Sequence, residues 1–120
     1  SMIAERVFYE ARRSVEGVYR AELDKLVKRA WLDSDLSVHE RALGIQGDVT
    51  LVFEVHASGR IDNVRLTRSS GYAALDRLAL DAVPDAAPPF PKELRKRTRH
   101  MHHRYTFRYR NPLLGEGAAP

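Results

Sequence analysis

The sequence predicts a two-layer α+β domain in which a three-stranded antiparallel sheet packs against two helices in the order α-β-β-α-β. Three observations carry that prediction. Two segments, near residues 15–30 and 75–83, repeat apolar residues at three- and four-residue spacing. Between them, "GDVTLVFEVHASGRIDNVRL" alternates apolar and polar residues on either side of a Ser-Gly turn. A third alternating run, ending at Arg110, follows the second helical segment. A chain of 120 residues buries roughly two-thirds of its unfolded surface around one core. One structural domain is therefore expected, organised as a leading helix and linker over 1–45, an αβ core over 46–111 and a tail over 112–120.

The leading helix is expected from about Ile3 to Trp31, with Val15, Val18, Tyr19, Leu23, Leu26, Val27 and Ala30 on one stripe. Glu16 with Arg20, and Asp24 with Lys28, place acid one turn before base on its polar faces. A polar connection without period runs from Asp33 to Gly44. In the first strand Val49, Leu51, Phe53 and Val55 form a buried face, and apolar Val52 on the other face points to a central strand. Ser58-Gly59 supplies the turn, because glycine accepts positive φ without steric cost. In the second strand Val64 and Leu66 share a side. Ile61 is out of phase with them, which predicts a bulge near Asp62-Asn63. Ser69 or Ser70 is expected to cap the second helix, whose stripe is Leu75, Leu78, Ala79, Ala82 and Val83, and Pro84 ends it. "AAPPFP", residues 86–91, is too rich in proline for a helix or a central strand. An extended crossing with Phe90 inserted into the core is expected. In the last strand His103, Tyr105, Phe107 and Tyr109 alternate with Arg104, Thr106, Arg108 and Arg110.

Composition narrows the function. No cysteine is present, which removes disulfides, thiolate chemistry and cysteine zinc sites together. No apolar run approaches the roughly 18–20 residues of a membrane-spanning helix. The net charge of +4 is uneven: residues 1–45 are balanced, 46–91 are acidic by two, and 92–120 are basic by six. Ser1 before Met2 reads as a remnant of tag removal, so anchoring segments are expected upstream of the chain as given.

Several elements in order resemble the C-terminal domain of TonB-family and TolA-like energy-transducing proteins. These are Gly47 before strand one, the Gly59-Arg60 turn, Ser69-Ser70-Gly71 leading to a helix that bears Leu75-Asp76, and Pro89-Phe90-Pro91 after it. The match is close over residues 44–91. Tyr19, Leu23, Val27 and Trp31, at four-residue spacing, are similar to the long leading helix of some members. A Pro-x-Tyr-Pro element, which typical TonB transducers carry shortly before strand one, is not present between Ala30 and Gly47. The resemblance implies a Gram-negative periplasmic domain, tethered to the inner membrane and to a proton-driven motor complex through upstream segments. It also implies that strand one is central and that the last strand is an edge to which partner peptides add.

An unpaired edge offers N–H and C=O groups that a foreign chain can complete. The expected binding residues are therefore His102, Arg104, Thr106, Arg108 and Arg110, with the arginines selecting acidic neighbours. Lys92, Arg95, Lys96, Arg97 and Arg99 form a secondary basic patch. The expected partner is a peptide of an outer-membrane receptor or periplasmic protein, bound by a monomer or by an edge-paired dimer. The alternatives are a structural link in a trans-envelope motility or secretion machine and a basic nucleic-acid-binding module. Tyr105, Phe107 and Tyr109 are needed by the core, so nucleic acid is not the expected partner. His100, His102 and His103 form an H-x-H-H cluster in which 100 and 102 share a strand face. No third ligand is evident from the sequence, and neither a metal nor another cofactor is expected. Ser69, Ser70, His56, Asp62 and Asp76 lie within no nucleophile elbow, phosphate loop or zinc-helix motif, so no enzyme is expected.

Overall fold

The computed structural model describes residues 14–33 and 44–111. The expected start of the leading helix, most of the linker and the tail from 112 lie outside the described residues. Six elements follow one another: α1 (Val15–Asp33), β1 (Gly47–His56), β2 (Ile61–Arg68), α2 (Ala73–Ala82), α3 (Lys92–Arg95) and β3 (His100–Tyr109). The strand order is β2-β1-β3 with both pairings antiparallel. The predicted α+β class and element order are those observed, with α3 as an addition. At four residues α3 is too short to show a helical period, and it serves to bury Leu94 within the basic run.

The core lies between one face of the sheet and the helices. Val49, Leu51, Phe53 and Val55 of β1 are fully buried, joined by Tyr19, Leu23 and Val27 of α1 and Leu75, Ala79 and Ala82 of α2. Val18 is 52% exposed and stands outside the stripe assigned to it. Asp24 also departs from expectation: instead of Lys28 it meets His103 Nε2 at 2.7 Å. Trp31 covers Phe107 with ring centres 4.9 Å apart, so α1 lies across β3. Phe90 fills the core as expected, edge-on to the Tyr19 ring at 5.0 Å.

β2 carries the anticipated irregularity. Its register with β1 shifts between Val52 and Glu54 and again between Thr50 and Leu51, and Asn63 takes φ 54° at the first shift. β3 pairs with β1 residue for residue over ten positions, with no shift.

The serines before α2 do not cap it. Its N-cap is Tyr72, which has no side-chain cap bond. Asp76 instead reaches back: its carboxylate accepts hydrogen bonds from the hydroxyls of Ser69 and Ser70 and from the Ser70 N–H at 2.9 Å. Ser70 in turn lies so close to Gly47 that a Cβ there would meet Ser70 Cβ at 3.1 Å. Burial pushes the Asp76 carboxyl up, and the three hydrogen bonds more than reverse that, leaving it below its ordinary value. A depressed folded-state value means that the clasp stabilises above the unfolded-state pKa, and that this stability is lost as pH falls through the folded-state value. Asp76→Asn is therefore expected to cost about 1 kcal/mol at neutral pH. Thermal melts should show wild type and variant converging below about pH 4.

Candidate partner-binding site

The open edge of β3 follows from the backbone. The Ala57 N–H donates to the Arg99 carbonyl at 2.8 Å, and the β1–β3 register continues that pairing along odd-numbered residues. In an antiparallel ladder only alternate pairs exchange hydrogen bonds. The even-numbered residues of β3 therefore aim N–H and C=O away from β1, and these are His100, His102, Arg104, Thr106 and Arg108. Two of those carbonyls are taken: Thr98 Oγ1 donates to His100 at 2.7 Å, and Arg20 Nη1 donates to His102 at 2.7 Å. The outward backbone groups of Arg104, Thr106 and Arg108 take no partner among the described residues.

Side chains alternate with the same period. Met101, His103 and Phe107 are buried on the core face, while His102, Arg104 and Arg108 are exposed on the opposite, open face. There Thr106 Oγ1 lies 3.0 Å from Thr50 Oγ1, and Arg110 Nη1 meets Asp48 at 2.9 Å. Arg104 and Arg108 form no ion pair among the described residues. They stand beside the edge, where side chains flanking an added strand would meet them. Lys92, Arg95, Lys96, Arg97 and Arg99 are all exposed and precede the edge along the chain. Tyr105, Phe107 and Tyr109 face α1 and the core, which leaves no stacking platform for bases beside this charge.

Sequence reasoning did not find the residues that hold the edge in place. Arg20 Nη1 also lies 3.1 Å from His103 Nδ1. Arginine only donates, so Nδ1 accepts and the proton of the neutral ring sits on Nε2, donated to Asp24. Burial, and then the Asp24 carboxylate, push the neighbouring Tyr105 hydroxyl up, which keeps it a neutral phenol. The second edge, β2, is bulged and bears Arg65 and Arg68 exposed. Both edges carry arginines, but a bulge blunts an edge and β3 has none, so β3 is the regular one.

This arrangement defines a class: a small sheet domain, covered on one face by helices, with one regular edge strand. The chain belongs to the family described as Gram-negative bacterial TonB protein C-terminal, whose family model matches residues 37–110. It is similar to Protein TonB of Pasteurella multocida (strain Pm70), at 43% identity over 51 residues, which are 42% of this chain and 20% of that protein. The chain thus spans about a fifth of the length of that relative. The fold is also that of the Helicobacter pylori TonB C-terminal domain (residues 179–285) in its NMR solution structure. The TM-score is 0.56 and the identity 22%, covering 74% of this chain and 80% of that one. The family is non-enzymatic, in keeping with the sequence reading. Among the described residues no helix is long and apolar enough to cross a membrane.

Proposed function

We propose that this domain is the periplasmic, partner-engaging end of an energy transducer tethered to the inner membrane, and that it captures an extended peptide as a fourth strand beside β3. The partner is a segment of an outer-membrane receptor or periplasmic protein. Segments beyond this chain connect the domain to a proton-driven motor complex. The observation that carries the reading is the unbulged β3 edge, with outward backbone groups of Arg104, Thr106 and Arg108 unpartnered among the described residues. Backbone hydrogen bonds supply affinity that depends little on partner sequence. Arg104 and Arg108 add a preference for acidic residues in the incoming strand. Attachment along an edge also suits traction, since a pull parallel to the strands loads several hydrogen bonds at once.

The test is backbone amide mapping while acidic, extended peptides from candidate outer-membrane receptors are titrated. Shifts concentrated at residues 102–110, persisting at high salt, are the expected result. Shifts confined to the 92–99 run that vanish with salt would replace strand addition with attraction to the basic patch.

A further inference from the structure

The open face of the sheet carries a second constellation, unrelated to the backbone edge. The register sets Glu54 of β1 opposite Asp62 of β2 and opposite His102 of β3, and sets His56, two residues along, opposite His100. Glu54, His56 and Asp62 each offer one donor atom, and the three lie within 4.8 Å of one another. His56 Nε2 is 3.0 and 3.1 Å from the two Asp62 oxygens. His102 Nε2 is 3.0 Å from Glu54 Oε1. The ring centres of His100 and His102 are 6.3 Å apart. Two residues of H-x-H-H thus share a face, as their spacing predicts, and the ligands missing from the sequence pattern come from the neighbouring strands.

We propose that Glu54, His56 and Asp62, with His102 as fourth donor, form a site for a zinc-class divalent cation on the open face of the sheet. Imidazole nitrogen and carboxylate oxygen are the donors that zinc takes at about 2.0–2.2 Å, and tetrahedral geometry then separates donors by roughly 3.4 Å. The His56–Asp62 and His102–Glu54 distances are already shorter than that. Closing the three-residue set of Glu54, His56 and Asp62 needs side-chain torsions alone, and His102, already in contact with Glu54 from the same face of the sheet, would turn in as the fourth donor. Two carboxylates concentrate negative charge on a face otherwise bordered by arginines. A cation already answers it: Arg60 Nη2 lies 3.4 Å from His56 Nε2 and 3.5 Å from Asp62 Oδ2. That side chain is two-thirds exposed on a long stem and free to swing away. A bound ion would staple β2, β1 and β3 together at the end of the sheet that precedes the open edge groups of Arg104, Thr106 and Arg108.

Titration of the untagged protein with zinc chloride at neutral pH, read by calorimetry and by the imidazole resonances, tests the site. Saturable binding of one equivalent is expected, with His56 and His102 resonances shifting together. His56→Ala and Asp62→Asn each weaken it by about tenfold or more. Arg60→Gln keeps every donor, removes the competing cation and tightens binding about fivefold. Asp48→Asn, a carboxylate near the other end of β1, leaves it unchanged. Unliganded melts check that each variant folds, which the solvent-facing positions favour. No saturable binding below millimolar zinc, or full affinity in either His56→Ala or Asp62→Asn, overturns the proposal.

Discussion

Gly59→Ala is expected to lower folding stability by about 3 kcal/mol or more, one of the largest effects open to a single methyl group in this chain. Gly59 holds φ at +92°, which L side chains rarely adopt, and a Cβ there would stand 2.0 Å from the Ala87 carbonyl oxygen. That contact is with backbone, and the backbone is pinned. The Ala87 N–H donates to the Gly59 carbonyl at 2.7 Å, the Ile61 N–H to Asp85 at 2.9 Å and the Phe90 N–H to Ala57 at 2.9 Å. The proline-rich segment is thus strapped across the tip of the hairpin, and relief of the clash requires breaking the strap or the turn. For a domain whose total stability is about 5–15 kcal/mol, the loss should appear as a fall in Tm of more than about 10 °C. Ser58→Ala, on the exposed neighbour, should change Tm little. If Gly59→Ala melts within a few degrees of wild type, the strap is not fixed to the hairpin as described. The strap matters to the edge as well, because it leads through Leu94 into β3, and loosening it frees the start of the strand that partners would meet.

Where local rules decide structure, the sequence discloses it. Val49, Leu51, Phe53 and Val55 reveal a buried strand face because the side-chain period of a strand is two. Ile61, out of step with Val64, reveals the bulge that Asn63 then makes at positive φ. Strand order is a different matter: alternation says that three strands exist, apolar Val52 only points to the first as central, and the full order rests on the family resemblance. Contacts between residues far apart in sequence were out of reach. The one-turn rule assigned Asp24 to Lys28, whereas a buried imidazole 79 residues away holds its carboxylate. Arg20, legible only as the partner of Glu16, also reaches the His102 carbonyl 82 residues on. Ser69-Ser70 looked like a cap because serine precedes an apolar run. Gly71 and Tyr72 push the helix start beyond their reach, and Asp76 turns back to use them. The grouping of Glu54, His56, Asp62 and His102 depends on the register of three strands, which no single segment encodes.

Proline at even and odd positions of β3 should have opposite consequences, and this alternation is the sharpest check on the edge. Arg104 aims its N–H outward, so Arg104→Pro removes no ladder bond and should cost about 1 kcal/mol of stability, as edge strands tolerate proline. Tyr105 lies opposite Leu51 at a bonded pair, so Tyr105→Pro deletes a ladder bond and forces a ring against β1, with about 3 kcal/mol or more lost. Peptide binding should invert the ranking among folded variants. Arg104→Pro withdraws a donor from the incoming strand, strands one peptide carbonyl without a partner and puts a ring where that strand must lie. The expected weakening is about a hundredfold, which corresponds to ~3 kcal/mol. Arg104→Ala keeps the backbone and gives up only a side-chain charge, so it should weaken binding by about tenfold at most. Titrating one receptor-derived peptide into both variants by NMR or calorimetry separates backbone from charge. Equal affinities for Arg104→Pro and Arg104→Ala would mean that the partner reads the guanidinium face and never pairs with the strand. A gap of about tenfold or more would mean that the partner is held by the unpaired groups of Arg104, Thr106 and Arg108, through which a pull can be transmitted to the sheet.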